Sequence, residues 1–296
     1  MAVSGSKDFE LNVAEYIEEA FERCGVEFRT GYDAETSRRS LNLLFADWAN
    51  RGLNRWTIKQ FTQTLAAGVE TYPVGLITAT VGSSANLTVG ETITGSSSGT
   101  TAQVITKPTS TTLTVTVPSG AFIAGETITG SSSGATPTIS ADPSLTDVRA
   151  TVDILTGVVR RSSSDISITQ ISRDTYLTIP TKSTTGRPIQ FYFDRQITPV
   201  LKLWPSPENS TDQFIYDRMV RLDDVDASVN TVDVPFRFYP CLAAGLAYYL
   251  SLKRAPQRVQ ILKALYEEEF ERAALEDRDK TNTFLIPSHS YLSATG

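Results

Sequence analysis

Apolar residues recur at helical spacing at the two ends of the chain and alternate with polar residues between them. Near the start, Val13, Ile17, Ala20, Phe21 and Cys24 form one stripe, and Leu41, Leu44, Phe45 and Trp48 fall at i, i+3, i+4 and i+7 of a second. Asn12 with Glu15 three residues on reads as a capping box for the first helix, Asp33 opens the second, and Gly25 and Gly52 are natural stops. Near the other end, Leu242, Leu246, Tyr249 and Leu250 share one face of a helix from Tyr239 to Arg254, while Ala243, Ala244, Gly245 and Ala247 make another face small. A helix with a small face lets a neighbouring backbone approach, so this one is expected to be covered on more than one side. Asp233 reads as its cap. Its uncharged stretch, residues 238–252, is too short to span a membrane, which takes about 20 apolar residues. Pro256 then begins a last helix at an N1-type position, with Val259, Leu262, Leu265, Tyr266, Phe270 and Ala273 on one face. Glu267, Glu268, Glu269 and Glu271 make its wet face, and Glu267 is placed to pair with Lys263 one turn earlier.

Between the helical ends the period is that of strands. Residues 56–58, 61–65 and a segment ending at Val74 are β-type, as are Val152 to Val159, the series Ile166, Ile168 and Ile171, the series Ile189, Phe191 and Phe193, the run from Val200 to Trp204, and Phe214 to Val220. From Gly75 to Thr146 the composition changes to Ser, Thr and Gly with only four charges, Glu91, Lys107, Glu126 and Asp142. The decapeptide GETITGSSSG occurs there twice, at Gly90–Gly99 and Gly125–Gly134. Ile93, Ile128, Leu113, Val115 and Val117 alternate with hydroxyl residues, which predicts a small duplicated β-module rather than a disordered linker. One copy has too few strands to bury a core, so the two are expected to pack together. Val74 and Val152 are expected in neighbouring parts of one sheet that this insertion interrupts. The predicted class is therefore α+β: a four-helix bundle from the N- and C-terminal helices beside a mostly antiparallel β-domain, with an inserted Ser/Thr-rich β-module. The predicted division is 1–74 with 150–280 as the body, 75–149 as the insertion and 281–296 as an extended C-terminal arm.

Composition adds limits. The net charge of −6 lacks the basic excess of a dedicated nucleic-acid clamp. Cys24 and Cys241 are too few for a disulfide scaffold in 296 residues and are expected to be buried free thiols. The opening MAVSGSKDFE has no apolar h-region, so assembly in a cytoplasm is expected.

Candidate chemistry is sparse. Gly95–Gly99 and Gly130–Gly134 match G-x-S-x-G, but that motif needs a strand-to-helix turn, and β-type sequence continues on both sides. His289 is the single histidine. Asp223, Asp224 and Asp226 fail as a calcium loop, which needs Gly where Val229 stands and Glu where Pro235 stands. No phosphate loop, zinc-protease motif or paired-cysteine motif is present, and no catalytic residue, metal ligand or cofactor is expected. In the tail, Phe284, Leu285, Ile286, Pro287, Tyr291 and Leu292 belong to no helical or strand pattern and suit docking on another subunit or partner, the alternative being a frayed end.

The runs DILTGVVR, ISRDTYLTIPTKSTTGRPIQFYFDRQ, LKLWPSPEN and VPFRFYPCLAAGLAYYLSLKRAP, taken in order, resemble the head-to-tail adaptor (connector) proteins of short-tailed bacteriophages, the tail tubular protein A or tail accessory factor type. The resemblance covers most of Asn12 to Lys280 outside the insertion and rests on Asp174, Tyr176, Gly186, Arg187, Pro188, Leu203, Trp204, Pro205 and the Pro235–Arg254 helix entry. It implies a non-enzymatic virion protein of the neck or tail that forms a ring of about twelve subunits. Such a ring binds the portal, partly through C-terminal arms, receives a tail nozzle or tail tube protein, and lets DNA pass through its lumen without specific binding. The insertion departs from the family pattern. The competing classes are a tail fibre or adhesin, suggested by the Ser/Thr-rich module, and a cell-envelope hydrolase.

Overall fold

The computed structural model describes residues 9–29, 31–52 and 55–278 and shows an α+β protein with mostly antiparallel sheets. In chain order the elements are α1 (Val13–Cys24), α2 (Gly31–Arg51), β1 (Ile58–Thr64), β2 (Thr71–Pro73), β3 (Thr78–Thr80), β4 (Thr92–Gly95), β5 (Thr101–Thr109), β6 (Thr112–Val115) and β7 (Ile128–Gly130). There follow α3 (Thr146–Ala150), β8 (Thr151–Arg161), β9 (Ser164–Ser167), β10 (Thr169–Gln170), α4 (Arg173–Thr178), β11 (Thr185–Gly186) and β12 (Gln190–Asp194). The chain continues with β13 (Val200–Trp204), β14 (Ser206–Pro207), β15 (Gln213–Val220), α5 (Tyr239–Arg254) and α6 (Val259–Glu276). Two units result, residues 1–55 with 223–296, and residues 56–222.

In the first unit α5 packs against α1, α2 and α6. Leu41, Leu44, Phe45, Trp48, Leu242, Leu246 and Leu250 are all buried. The small face of α5 has a steric reason: a Cβ on Gly245 would lie 2.9 Å from both Leu44 and Tyr266 side-chain carbons. Trp48 is flanked by the rings of Phe45, Phe238 and Phe270, and its indole N–H donates to the Tyr266 hydroxyl at 3.0 Å. That hydroxyl donates in turn to Asp47 at 3.1 Å. Asn12 and Glu15 form the reciprocal capping box, and Gly25 closes α1 at φ 68°. Both thiols are buried, and Cys24 donates to the Ala247 carbonyl at 3.3 Å.

Four local expectations for this unit need correction. α2 starts at Gly31, and Asp33 lies inside its first turn, buried and paired with Arg254 at the end of α5. Asp233 caps nothing: a 3-10 turn, Phe236–Phe238, leads into α5, and Pro235 precedes it. Pro256 does open the last helical segment, at the first position of a 3-10 turn, Pro256–Arg258, that runs into α6, but Leu265 stays partly exposed beside the buried Leu262 and Tyr266. Glu267 turns from Lys263 to Arg51, which donates to it through both Nη atoms at 2.8 and 3.0 Å. A guanidinium fork holds a carboxylate in two places, which an ammonium cannot do.

The second unit contains a four-stranded sheet of order β1-β15-β8-β9, another of order β10-β12-β13-β2, the pair β11-β14, and a five-stranded sheet of order β3-β6-β5-β4-β7. The five-stranded sheet comprises the Ser/Thr-rich segment, and its apolar residues join those of the other sheets in one buried cluster that runs from Leu65 and Val69 through Ile93, Val104 and Ile128 to Phe214. Of the series Ile166, Ile168 and Ile171, only Ile166 lies in a strand, β9; Ile168 falls between β9 and β10, which belong to different sheets, Ile171 follows β10, and Ile189 precedes β12 and is exposed. Val74 and Val152 do not share a sheet, because β2 pairs with β13 whereas β8 pairs with β15. They are nevertheless brought together. The Thr151 hydroxyl donates to the Val74 carbonyl at 2.7 Å, and buried Arg218 donates to the same carbonyl at 2.8 Å and to Asp147 at 2.7 Å. Gly75 leaves room for this knot, since a Cβ there would meet Asp147 at 2.5 Å and Arg218 at 2.7 Å. Among the described residues no helix is long and apolar enough to cross a membrane.

Candidate functional site

The two decapeptides meet across the antiparallel pair β4–β7, with Thr94 opposite Thr129, Ile93 opposite Gly130 and Gly95 opposite Ile128. This register relates the copies by a local two-fold, and the flanking bonds obey it: Ser96 N–H donates to Thr127 O and Ser131 N–H to Thr92 O, both at 2.9 Å. Each copy then reaches into the other. Glu126 accepts from the backbone N–H groups of Ser97 and Ser98 at 2.9 Å and from the Ser98 hydroxyl at 2.7 Å. Glu91 accepts from the N–H groups of Ser132 and Ser133 at 3.1 and 3.0 Å and from the Ser133 hydroxyl at 2.9 Å. Each also takes an N–H from its own copy, of Ile123 and Thr88 respectively.

Both carboxylates are buried, which disfavours their charge, but the converging N–H and O–H donors outweigh that. Glu91 is held below the ordinary carboxylate range, and Glu126 is lowered to about 2. A carboxylate saturated with donors and this acidic is a poor general base. It is a clasp. Nothing in the helical or strand periodicity marks these residues. The available signal was a charge kept at the same place in two copies of a nearly uncharged segment.

The clasp also accounts for the G-x-S-x-G matches. Gly95–Gly99 is a turn between β4 and β5, both strands, and the N–H groups of Ser97 and Ser98 are occupied by Glu126. His289 lies outside the described residues. Asp226 accepts from the Asn230 side chain at 2.6 Å, while Asp223 and Asp224 point to an exposed loop. Among the described residues no group of three or more His, Cys, Asp or Glu side chains is placed to hold a metal ion.

Most of the remaining singled-out residues gather at one corner of the second unit. Tyr176 of α4 is buried and stacks on Tyr192 of β12 with centroids 5.4 Å apart, and Lys182 and Lys202 each place Nζ 5.5 Å from its ring. Leu203 is buried opposite Phe191, and Trp204 donates its indole N–H to Thr181 O at 3.1 Å. The Trp204–Pro205 peptide is cis. Gly186 pairs with Pro207 in the β11–β14 ladder and lies against Pro205, and Pro188 is buried. Asp174 and Arg187 stay exposed. The corner fixes chain path. Phe284, Leu285, Ile286, Pro287, Tyr291 and Leu292 lie outside the described residues. No protein-family model matches the chain, and no curated protein matches it in sequence.

Proposed function

We propose that the chain is a virion structural protein, a ring-forming head-to-tail adaptor that joins the portal to the tail of a short-tailed bacteriophage and continues the DNA channel. The observation that carries the reading is the ordered set of sequence runs that resemble those adaptors, which passes through both units, from β8 through the α4–β13 corner to α5. On this reading α1, α2, α5 and α6 act as a four-helix bundle beside a β-domain, with residues 75–149 as a decoration. Residues 281–296 serve as the portal-binding arm, and a tail nozzle or tail tube protein binds on the other side. A net charge of −6 suits a lumen that DNA passes without sticking. The protein then acts without chemistry or cofactor.

Native mass spectrometry of the full chain, alone and with the portal, tests the reading. A closed cyclic assembly of about twelve copies on the portal is expected. A chain that remains monomeric and ignores the portal overturns it, and a trimer without portal affinity favours a tail-fibre role, to which the hydroxyl-rich module points.

A further inference from the structure

Two exposed surfaces of the helical unit carry opposite charge. The first lies along α1. A groove of about 440 Å³ is lined by Phe9, Leu11, Glu15, Glu18, Glu22 and Tyr239 together with the Glu19–Arg23 pair, and a second of about 510 Å³ runs on from Glu18 and Glu22 past Gly25, where the Arg258 guanidinium lies, to Val26 and Phe28. Glu18 and Glu22 stand one turn apart, border both grooves and are exposed. Neighbouring carboxylates are engaged, Glu15 in the cap, Glu19 with Arg23 and Glu27 with Arg29, but Glu18 and Glu22 have no ion pair among the described residues. Apolar anchors flank them, for Phe9 is 61% and Phe28 40% exposed. Tyr239 in the groove wall is met edge-on by Tyr16, which is fully buried and whose hydroxyl has no hydrogen-bond partner.

The second surface lies where the end of α5 meets the first half of α2. Arg39, Lys253 and Arg254 gather there, all exposed. Lys253 donates to the Ser40 hydroxyl at 2.8 Å and has no carboxylate partner among the described residues. Burial, and then repulsion from Arg39 and Arg254, lowers its pKa. Asp33 is taken by Arg254, and Glu35, one turn from Arg39, is exposed and pairs with nothing among the described residues. Tyr32 and Leu252 give this surface its own exposed apolar anchors, and Arg254 lies over the Tyr32 ring at 5.9 Å. Arg39 and Lys253 are like charges with no ion pair among the described residues, and beside apolar side chains left in water they suit an acidic partner surface.

We propose that the acidic groove along α1 of one copy receives the basic end of α5 of the next copy. Each chain carries both halves, so the contact is heterologous when a copy gives its groove to one neighbour and its basic end to another, and a heterologous contact generates a ring when its rotation closes. The inference rests on the adaptor reading for that closure and names the surfaces it would use.

Charge reversal tests it on the full chain. Glu18→Lys with Glu22→Lys reverses the groove, and Arg39→Glu with Lys253→Glu reverses the patch. All four positions are exposed and only Lys253 gives up a hydrogen bond, to Ser40, so unchanged circular dichroism is expected, with at most a small fall in melting for the patch variant. Each double variant alone should self-associate at least about tenfold more weakly than the parent in sedimentation velocity, and an equimolar mixture should recover association as alternating copies. Association of the parent should weaken with added salt, as solvent-exposed charge pairs do. If either variant assembles like the parent, or the mixture recovers nothing, the inference falls. If both variants still form parent-like rings on the portal, the adaptor reading survives and the interface lies elsewhere. A parent chain that stays monomeric with and without portal sinks both. If the patch variant assembles normally but loses contact with DNA, the patch serves nucleic acid and the inference is likewise overturned.

Discussion

The helical unit and the duplicated segment solve the same problem, holding a small number of elements in one arrangement, by different physics. In the helical unit the fit is one of volume: Trp48 and Leu246 are fully buried, and Gly245 is bare because Leu44 and Tyr266 fill the space beside it. In the duplicated segment short strands carry few large side chains, and the copies are locked by Glu91 and Glu126, each accepting from the turn of the other copy. The difference explains why the decapeptide repeats so closely. Volume can be conserved by many side chains, whereas a reciprocal hydrogen-bonded clasp needs the same donor turn and the same carboxylate twice.

The largest effects should come from breaking the first kind of fit. Trp48→Ala and Leu246→Ala are each expected to lower stability by about 2–5 kcal/mol in chemical denaturation followed by helical circular dichroism. A loss below about 0.5 kcal/mol for either would mean that the residue does not lie in a packed interior.

Breaking the clasp should cost less, and equally in both copies. A Cβ on Gly95 would come within 2.4 Å of Ser98 Oγ and 2.7 Å of Glu126, and on Gly130 within 2.4 Å of Ser133 Oγ and 2.6 Å of Glu91. Those atoms are held by the clasp and cannot retreat without opening it. Gly95→Ala and Gly130→Ala should therefore each destabilise by about 1–3 kcal/mol, with matched values. Unequal losses, one near zero, would show that a single copy carries the segment.

The same contrast decides what could be read before the structure was known. The α1 cap, the burial of Leu41, Leu44, Phe45 and Trp48, and the crowded small face of α5 follow from periodicity, because each depends on residues within a few turns. The clasp depends on which strands pair and in which register, and Glu91 lies 41 and 42 residues from its donors Ser132 and Ser133. The Arg218 knot at Val74 and Asp147 is similarly non-local, which is why periodicity alone places Val74 and Val152 in one sheet although their segments are joined by side chains. Asp33 and Glu267 show the limit within the helices: their local roles as helix opener and i,i+4 partner lost to arginines distant in sequence, Arg254 and Arg51.

Acid should separate the two regions further. Glu126 has its folded pKa lowered from 4.5 to about 2, and Glu91 is lowered in the same direction. A lowered carboxylate pKa stabilises the fold fully above the unfolded value and loses that contribution as pH falls through the folded one. The stability difference between the parent and Glu126→Gln should thus be constant near neutral pH and shrink between about pH 4.5 and about 2. Denaturation of both proteins at a series of pH values measures it. A difference that does not change over that window would mean that Glu126 is not ionised within the clasp.

The smallest expected effect probes the helical unit, at a place where polar geometry displaced local pairing. Arg51 donates to Glu267 through two nitrogens and to Asp47 at 3.0 Å, while its guanidinium lies 4.4 Å from the Phe270 ring centroid. Because the stacked ring and Asp47 already hold the arginine, little side-chain entropy is lost when Glu267 binds it, and Glu267 is held below its ordinary pKa chiefly by that hydrogen bond. Glu267 is still nearly half exposed, so water screens the pair. A double-mutant cycle on Arg51 and Glu267 should give a coupling of about 0.5–1 kcal/mol, whereas a cycle on Lys263 and Glu267 should give about 0.3 kcal/mol or less. Raising the salt concentration should reduce the first coupling without abolishing it, because the fork is set by hydrogen bonds as well as charge. Equal couplings in the two cycles would return Glu267 to Lys263 and leave the helix surface governed by local spacing alone.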